Sequence, residues 1–347
     1  MPLPTLSVLD LAPVVLGSTP SEALANSLDL VRHVEHFGYH RYWVAEHHNM
    51  PGIASSSPPV LIAHLAAGTS RIRLGSGGVM LPNHAPLVVA EQFGMLEALH
   101  PGRIDLGIGR APGTDPVTAH ALRRNAEGIS ADEFPRQLGE LLAFFNGTFP
   151  ETHPYHAITA TPGLGYQPAL WLLGSSAYSA EVAGLLGLPF SFAHHFSAEN
   201  TMPALAHYRA SFRPSDTLAE PCASIGVSVI VGEDDAHAHW LAGPSRLSFV
   251  RRRTGRPARL SSPEEAAEYH FTPMESELLR SWSSTSVVGG PDTVRRELEA
   301  LAARTGVQEL LVLTSVHGHK DRMRSYELLA QAAELDGAPQ PEGVESA

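Results

Sequence analysis

The chain has 347 residues, 43% of them apolar and 17% charged, a balance that supports a sizeable core and excludes wholesale disorder. Acids outnumber bases 36 to 24, giving a formal net charge of −12, and such a field disfavours nucleic acid and anionic membrane as partners. The single cysteine, Cys222, rules out an internal disulfide, Fe–S clusters and thiolate zinc sites, and Lys320 is the only lysine available for Schiff-base chemistry.

The chain opens MPLPTLSVLDLAPVV, and its first basic side chain is Arg32. It therefore lacks the charged start of a signal peptide, and no run approaches the roughly 18 apolar residues of a membrane span. A cytoplasmic location is expected. LSVLDLAPVV (6–15) is the first run of strand length. Thr19-Pro20-Ser21-Glu22 follows as a capping box with proline in the first helical position. Leu24, Leu28, Val31, Val34 and Phe37 keep a 3.6-residue stripe, and Gly38 closes the helix. Further strand-length runs are RYWVAEHH (41–48), IRLGSGGVML (72–81), IDLGIGRA (104–111), ALWLLGSS (169–176), PFSFAHHF (189–196), ASIGVSVIVG (223–232) and QELLVLTSVH (308–317). Several lack clean alternation, as strands buried on both faces do.

Eight strand–helix units predict an α/β fold, a (β/α)8 TIM barrel occupying residues 1–335 as one domain, with a disordered tail at 336–347. A doubly wound nucleotide-binding sheet is disfavoured, because no GxGxxG follows the first strand, and no Gly-Lys-Ser/Thr marks a Walker loop. Three insertions are expected. Residues 112–133 follow strand 4 on the catalytic face, and 146–168 follow helix 4 at the opposite end. Residues 244–285 lie between helix 7 and strand 8 and carry Arg246, Arg251, Arg252, Arg253, Arg256 and Arg259.

In a barrel, chemistry collects where the strands end. Those ends carry Glu46-His47-His48, Gly77-Gly78, Gly109-Arg110, Ser175-Ser176, His194-His195 and Thr314 to His317. Metal catalysis is not expected: strand 1 lacks the His-x-His of barrel metallohydrolases, and the His237-x-His239 pair sits in a predicted helix, where i,i+2 side chains do not share a face. Ser175-Ser176 opens a helix. A serine there either caps the helix or joins its free N–H groups in holding a phosphate, with Arg110 on the neighbouring strand end as a second donor. Gly77-Gly78 reads either as a bulge or as bare backbone on which a flat ligand packs.

The stretch from RYWVAEHHNMPG through GRIDLGIGRAPGTD, followed by LWLLGSSAYSAEVAGLLGLPFSFAHHF and the late SVVGGPDTVRREL, resembles the bacterial-luciferase-like flavin-dependent monooxygenases over roughly residues 5 to 335. The resemblance implies a barrel that binds reduced FMN at its C-terminal mouth. It implies a catalytic role for His47, with Glu46 or His48 setting its orientation and tautomer. It implies a cis Gly77-Gly78 peptide against the flavin ring, and a phosphate seat of Arg110, Arg136, Ser175 and Ser176, with Tyr178 at a cofactor-binding position that is threonine in the luciferases. Gly109 and Gly174 replace a reactive cysteine and a glutamate of the luciferases, and these departures weigh against light emission. The 244–285 segment matches the family's mobile active-site loop.

The implied function is monooxygenation of a small organic substrate by O2 through a C4a-peroxyflavin, with reduced FMN supplied by a separate flavin reductase and a homodimeric assembly. An alternative on the same barrel is a dehydrogenase or reductase using the deazaflavin F420. A third is a flavin-binding, subunit-like protein without turnover.

Overall fold

The computed structural model describes residues 3–111, 113–122 and 133–337. Eight parallel strands close on themselves: β1 (Thr5–Asp10), β2 (Arg41–Val44), β3 (Arg73–Met80), β4 (Ile104–Gly109), β5 (Ala169–Gly174), β6 (Phe190–Phe192), β7 (Ala223–Val231) and β9 (Glu309–Leu313), with β9 pairing both β7 and β1. A ninth strand, β8 (Ser286–Gly289), lies outside this ring and pairs only with the last residues of β7, Ser228–Val231. The expected TIM barrel is therefore present, with one short strand that the sequence reading missed.

The strands are apolar because both faces are buried. Outward-facing residues such as Val8, Tyr42, Leu74 and Leu106 join the main core beneath the helices, while Leu9, Trp43, Trp171 and Leu311 fill the barrel interior. Helix α1 (Pro20–His36) starts at the expected capping box: Glu22 donates its N–H to Thr19 Oγ1 at 3.2 Å, and the Glu22 carboxylate accepts the Thr19 N–H at 2.8 Å. Its fully buried positions are Ala23, Ser27, Leu30, Val31 and Val34, with Leu24 and Leu28 packed at the edge of the stripe. Gly38 has φ +89°, and a side chain there would collide with the backbone of Asp336.

The other helices against which the site is built are α2 (Pro58–Ala67), α3 (Pro86–Leu99), α4 (Pro116–Leu122), α5 (Phe134–Asn146), α6 (Ala177–Leu185) and α7 (Ala198–Ser211). The insertion at 146–168 carries no helix or strand after Asn146 and docks Gly163 against Gly94 of α3. Of the expected 112–133 insertion, residue 112 and residues 123–132 lie outside the described residues, as does the expected tail beyond residue 337.

The third insertion departs from expectation. Residues 244–285 are not a loop but largely helical: after α8 (Asp235–Leu241) come α9 (Gly243–Arg253), α10 (Pro263–Glu268) and α11 (Pro273–Ser283). The barrel helix that returns the chain from β7 to β9 is α12 (Pro291–Thr305), and α13 (His319–Ala332) follows β9. The whole insertion therefore leaves the C-terminal end of β7 and sits on the mouth, rather than between helix 7 and strand 8. Among the described residues, no helix is long and apolar enough to cross a membrane.

Candidate active site

A cavity of about 280 Å³ opens at the C-terminal ends of the strands. Its floor is the apolar interior cluster, with Leu9, Trp43, Leu173 and Leu311 exposed to it, and its walls include the glycines 77, 78, 109, 113, 174 and 226. These glycines let strands and side chains approach closely. A Cβ on Gly78 would stand 2.4 Å from Leu173 Cδ1 and 2.7 Å from the Gly107 carbonyl, and one on Gly226 would stand 2.7 Å from the His195 ring. The Gly77-Gly78 peptide is cis, and the β3–β4 register shifts there. The register shift bears out the bulge reading, and the pair also presents backbone to the cavity.

Glu46-His47-His48 lies just past β2, and its three side chains do different things. Glu46 is fully buried. Its carboxylate accepts the Met80 N–H at 2.9 Å, Asn83 Nδ2 at 3.0 Å, and the rings of His84 and His48, each at 2.9 Å. Burial alone would raise its pKa, but the donors, His84 first, hold it below the ordinary value of 4.5. Glu46 therefore clamps the end of β3 and the loop after it. His47 lines the cavity, and its Nδ1 lies 3.2 Å from the Gly113 carbonyl. A carbonyl only accepts, so Nδ1 carries the proton and Nε2 of the neutral ring keeps its lone pair. Burial lowers the His47 pKa, so the ring is neutral near pH 7. The expectation that Glu46 or His48 orients His47 is corrected: the partner is Gly113, which is 66 residues away in the chain.

A second imidazole repeats this arrangement. His195 lines the cavity, and its Nδ1 lies 3.2 Å from the Gly226 carbonyl. Burial lowers its pKa to about 4. His194 turns away from it, with Nδ1 2.8 Å from Thr201 Oγ1, and lines a separate cavity between α7 and α12.

The polar end of the cavity is built by Arg110, Ser175 and Ser176. The Arg110 guanidinium stacks 4.3 Å from the ring centre of Tyr178, a cation–π contact that orients it. Ser176 is the N-cap residue of α6, in extended conformation, and its hydroxyl makes no capping hydrogen bond. The hydroxyl and the first N–H groups of the helix are thus available to an anion, whose charge the helix dipole favours. Arg136 is not brought here. It sits near the start of α5, is mostly exposed, and is paired with Glu133 and Glu140. The residues fit FMN in kind: a backbone-walled apolar slot for a flat ring system, and an arginine with a helix start for a phosphate. Among the described residues, no group of three or more His, Cys, Asp or Glu side chains is gathered that could hold a metal ion.

Sequence reasoning missed the placement of Gly113, Gly226 and Ser191, which also line the cavity. Gly226 sits inside an apolar run, and a glycine interrupting a buried strand was the one available signal.

A family model described as luciferase-like monooxygenase matches residues 6–309. An Escherichia coli (strain K12) protein named luciferase-like monooxygenase is 45% identical over 328 residues, covering 94% of this chain and 96% of its own. The N-acetyl-S-alkylcysteine monooxygenase of Bacillus subtilis (strain 168) is 35% identical over 331 residues, covering 94% and 97%. The crystal structure of apo-MsnO8 superposes with a TM-score of 0.88 at 41% identity, covering 96% of this chain and 99% of that one. A Baeyer-Villiger monooxygenase in complex with FMN, at 19% identity and TM-score 0.73 with coverage of 98% and 100%, shares the fold. So does an F420-dependent secondary alcohol dehydrogenase, at 14% and 0.68 with coverage of 97% and 99%.

Proposed function

This chain belongs to the luciferase-like monooxygenase family, and from that premise we propose that its barrel mouth binds reduced FMN and uses O2 to oxygenate a small organic substrate. The observation that carries the reading is a single cavity with three parts: a glycine-walled apolar slot, an anion seat at one end, and two neutral imidazoles facing the same space. Reduced FMN, when bound, supplies the electrons with which O2 is activated. Arg110, Ser175, Ser176 and the start of α6 would hold its phosphate, and Tyr178 would keep Arg110 aimed. Leu9, Trp43, Leu173 and Leu311 would exclude water from the reacting centre. His47, with its Nδ1–H committed to Gly113, would accept or return a proton at Nε2, and its neutral state near pH 7 suits that task.

Small thioethers, suggested by the relative named for N-acetyl-S-alkylcysteine, and aldehydes are the substrates to try first. Reduced flavin would come from a separate reductase, since the chain has no nicotinamide fingerprint. Val60, Met95 and Leu99, exposed on α2 and α3, support a homodimer, to be checked by light scattering. The protein is expected to act in the cytoplasm.

The test is to mix the purified protein with reduced FMN, and separately with reduced F420, then add O2 and follow absorbance. The reading expects tight FMN binding and a flavin whose reoxidation is altered by the protein. Binding and turnover with F420 alone would overturn it.

A further inference from the structure

His47 and His195 line one cavity from opposite sides of the barrel. His47 follows β2 and His195 follows β6, and these strands stand four places apart in the eight-membered ring. The cis Gly77-Gly78 peptide and the anion seat of Arg110, Ser175 and Ser176 belong to β3, β4 and β5 and their ends, so in the FMN reading the cofactor takes that arc. The opposite arc, from β7 through β9 to β1, presents Gly226, Leu311, Leu9 and Leu11 to the cavity. None of these has a polar side chain, and His195 is the imidazole at that arc's edge.

The chain holds the His195 ring in one place. The Gly226 carbonyl accepts the His195 backbone N–H at 2.8 Å and lies 3.2 Å from Nδ1, so Nδ1 carries the proton, as at His47. The Phe196 ring stands edge-on to the imidazole, with centres 4.7 Å apart and planes at 89°. Gly226 leaves the room the ring needs: a Cβ there would stand 2.7 Å from Nδ1 and 3.0 Å from Cε1. All of this fixes the ring and uses one nitrogen. Nε2 has no hydrogen-bond partner among the described residues. With Nδ1 tied to the wall, the lone pair of Nε2 is the polar capacity that His195 offers the cavity. Burial keeps the ring neutral near pH 7, so Nε2 accepts a hydrogen bond and does not donate one. Beside it Phe196 lines the cavity yet is 55% exposed, an apolar plate at the rim. An acceptor set in apolar walls is costly to leave unpaired once a ligand displaces water from it.

Resting on the FMN reading above, we propose that His195 is a specificity residue that selects a substrate with an N–H or O–H donor on an otherwise apolar body. The donor meets Nε2, and the apolar part packs against Phe196 and the leucines of the free arc. A molecule without a donor would strand the lone pair, which is how a buried polar group rejects a close analogue.

The test uses protein loaded with oxidised FMN, so that nothing turns over, and isothermal titration calorimetry. The probes are the N-methyl amides of straight-chain acids from propanoic to octanoic, and the methyl esters of the same acids, in which oxygen replaces the single N–H with little change of shape. At the best chain length the parent should prefer the amide by roughly 5- to 100-fold, the cost of an unpaired buried acceptor. His195→Leu should abolish that preference. Gly226→Ala, which keeps the imidazole but crowds it out of its seat, should also lose it, and decides the matter if His195→Leu does not fold. His47→Leu should keep it. The proposal is overturned if no amide binds, if amide and ester bind alike, if His195→Leu or Gly226→Ala retains the preference, or if His47→Leu removes it. If the parent fails to bind FMN, the cofactor reading fails instead, and the same titrations of the FMN-free protein still decide the role of His195.

Discussion

The two ends of the barrel interior treat charge in opposite ways. At the N-terminal end, Arg41 is nearly buried between Trp43 and Trp171, 5.6 and 4.9 Å from their ring centres. It donates to Asp105 and Glu309, each at 2.7 Å. Asp105 also accepts Trp43 Nε1 and Arg73, and Glu309 accepts Ser7 Oγ. Every ion there has a protein partner. At the mouth, His47 and His195 each spend Nδ1 on a carbonyl and keep Nε2, and the Ser176 hydroxyl caps nothing. A polar group whose capacity is exhausted inside the protein holds the fold, whereas one with capacity left over is placed for something outside it.

The largest test of that contrast is His47→Ala. It removes a base whose Nε2 has no partner among the described residues, so folding and FMN affinity should change little. Oxygenation should fall by roughly 10²–10⁴, the scale of general acid–base loss. Single-turnover mixing of reduced, FMN-loaded protein with O2 and a responsive substrate, reading product and peroxide together, checks it. Unchanged product yield would reassign His47 to a supporting role and leave His195 as the base.

The floor should give the opposite outcome. Asp105→Ala leaves Arg41 with Glu309 as its one carboxylate and takes the carboxylate from Arg73, and removing one partner of a buried ion network costs roughly 3–5 kcal/mol. Denaturant unfolding should record that loss. FMN affinity of the protein that remains folded should stay near the parent's, and a cofactor-specific defect with normal stability would break the comparison.

How much of this was readable beforehand follows the range of the interactions. Strands β1 to β7 and β9 were legible because each is a short apolar run, and α1 because its cap is written within four residues. β8 was missed because only Val287 and Gly289 of Ser286–Gly289 are buried, so it carries no continuous apolar run like those of β2 and β6. Missing it misassigned the insertion after β7. Pro291 at the start of α12, followed by the buried stripe of Val294, Leu298 and Leu301, was the signal that the barrel helix came later. Glu46, His47 and His48 were found as a cluster, but not their division of labour, because the partners Gly113, Asn83 and His84 come from other loops. No spacing within the motif encodes them.

At the anion end, Arg110→Ala should weaken FMN by roughly 1.5–3 kcal/mol, the range for hydrogen bonds to charged groups. Riboflavin, which has no phosphate, should bind parent and variant alike in the same titration. Equal losses for both ligands would assign Arg110 to the ring or to the packing of Tyr178.

A pH series probes the neutral imidazoles. His195 has its folded-state pKa lowered from 6.5 to about 4, so the unfolded chain binds the proton first as pH falls. Its contribution to stability is complete above about pH 6.5 and is lost on the way to about pH 4. Stability measured at both ends of that window should fall less in His195→Gln than in the parent. Equal falls would mean that other groups carry the acid sensitivity.

The smallest expected effect belongs to Arg136. The family resemblance puts it on the FMN phosphate, yet its guanidinium is more than half exposed and already shared by Glu133, the residue that precedes α5, and Glu140, one turn further along the helix. Such pairing is what helical spacing favours, and exposed pairs contribute roughly 0–1 kcal/mol. Arg136→Ala should therefore leave FMN and riboflavin affinity within a factor of two or so and barely move the unfolding midpoint, in contrast to Arg110→Ala in the same assay. A loss of FMN comparable to that of Arg110→Ala, with riboflavin unaffected, would mean that Arg136 leaves its two glutamates when the phosphate arrives. The rule that exhausted polar groups serve only the fold would then fail at the mouth.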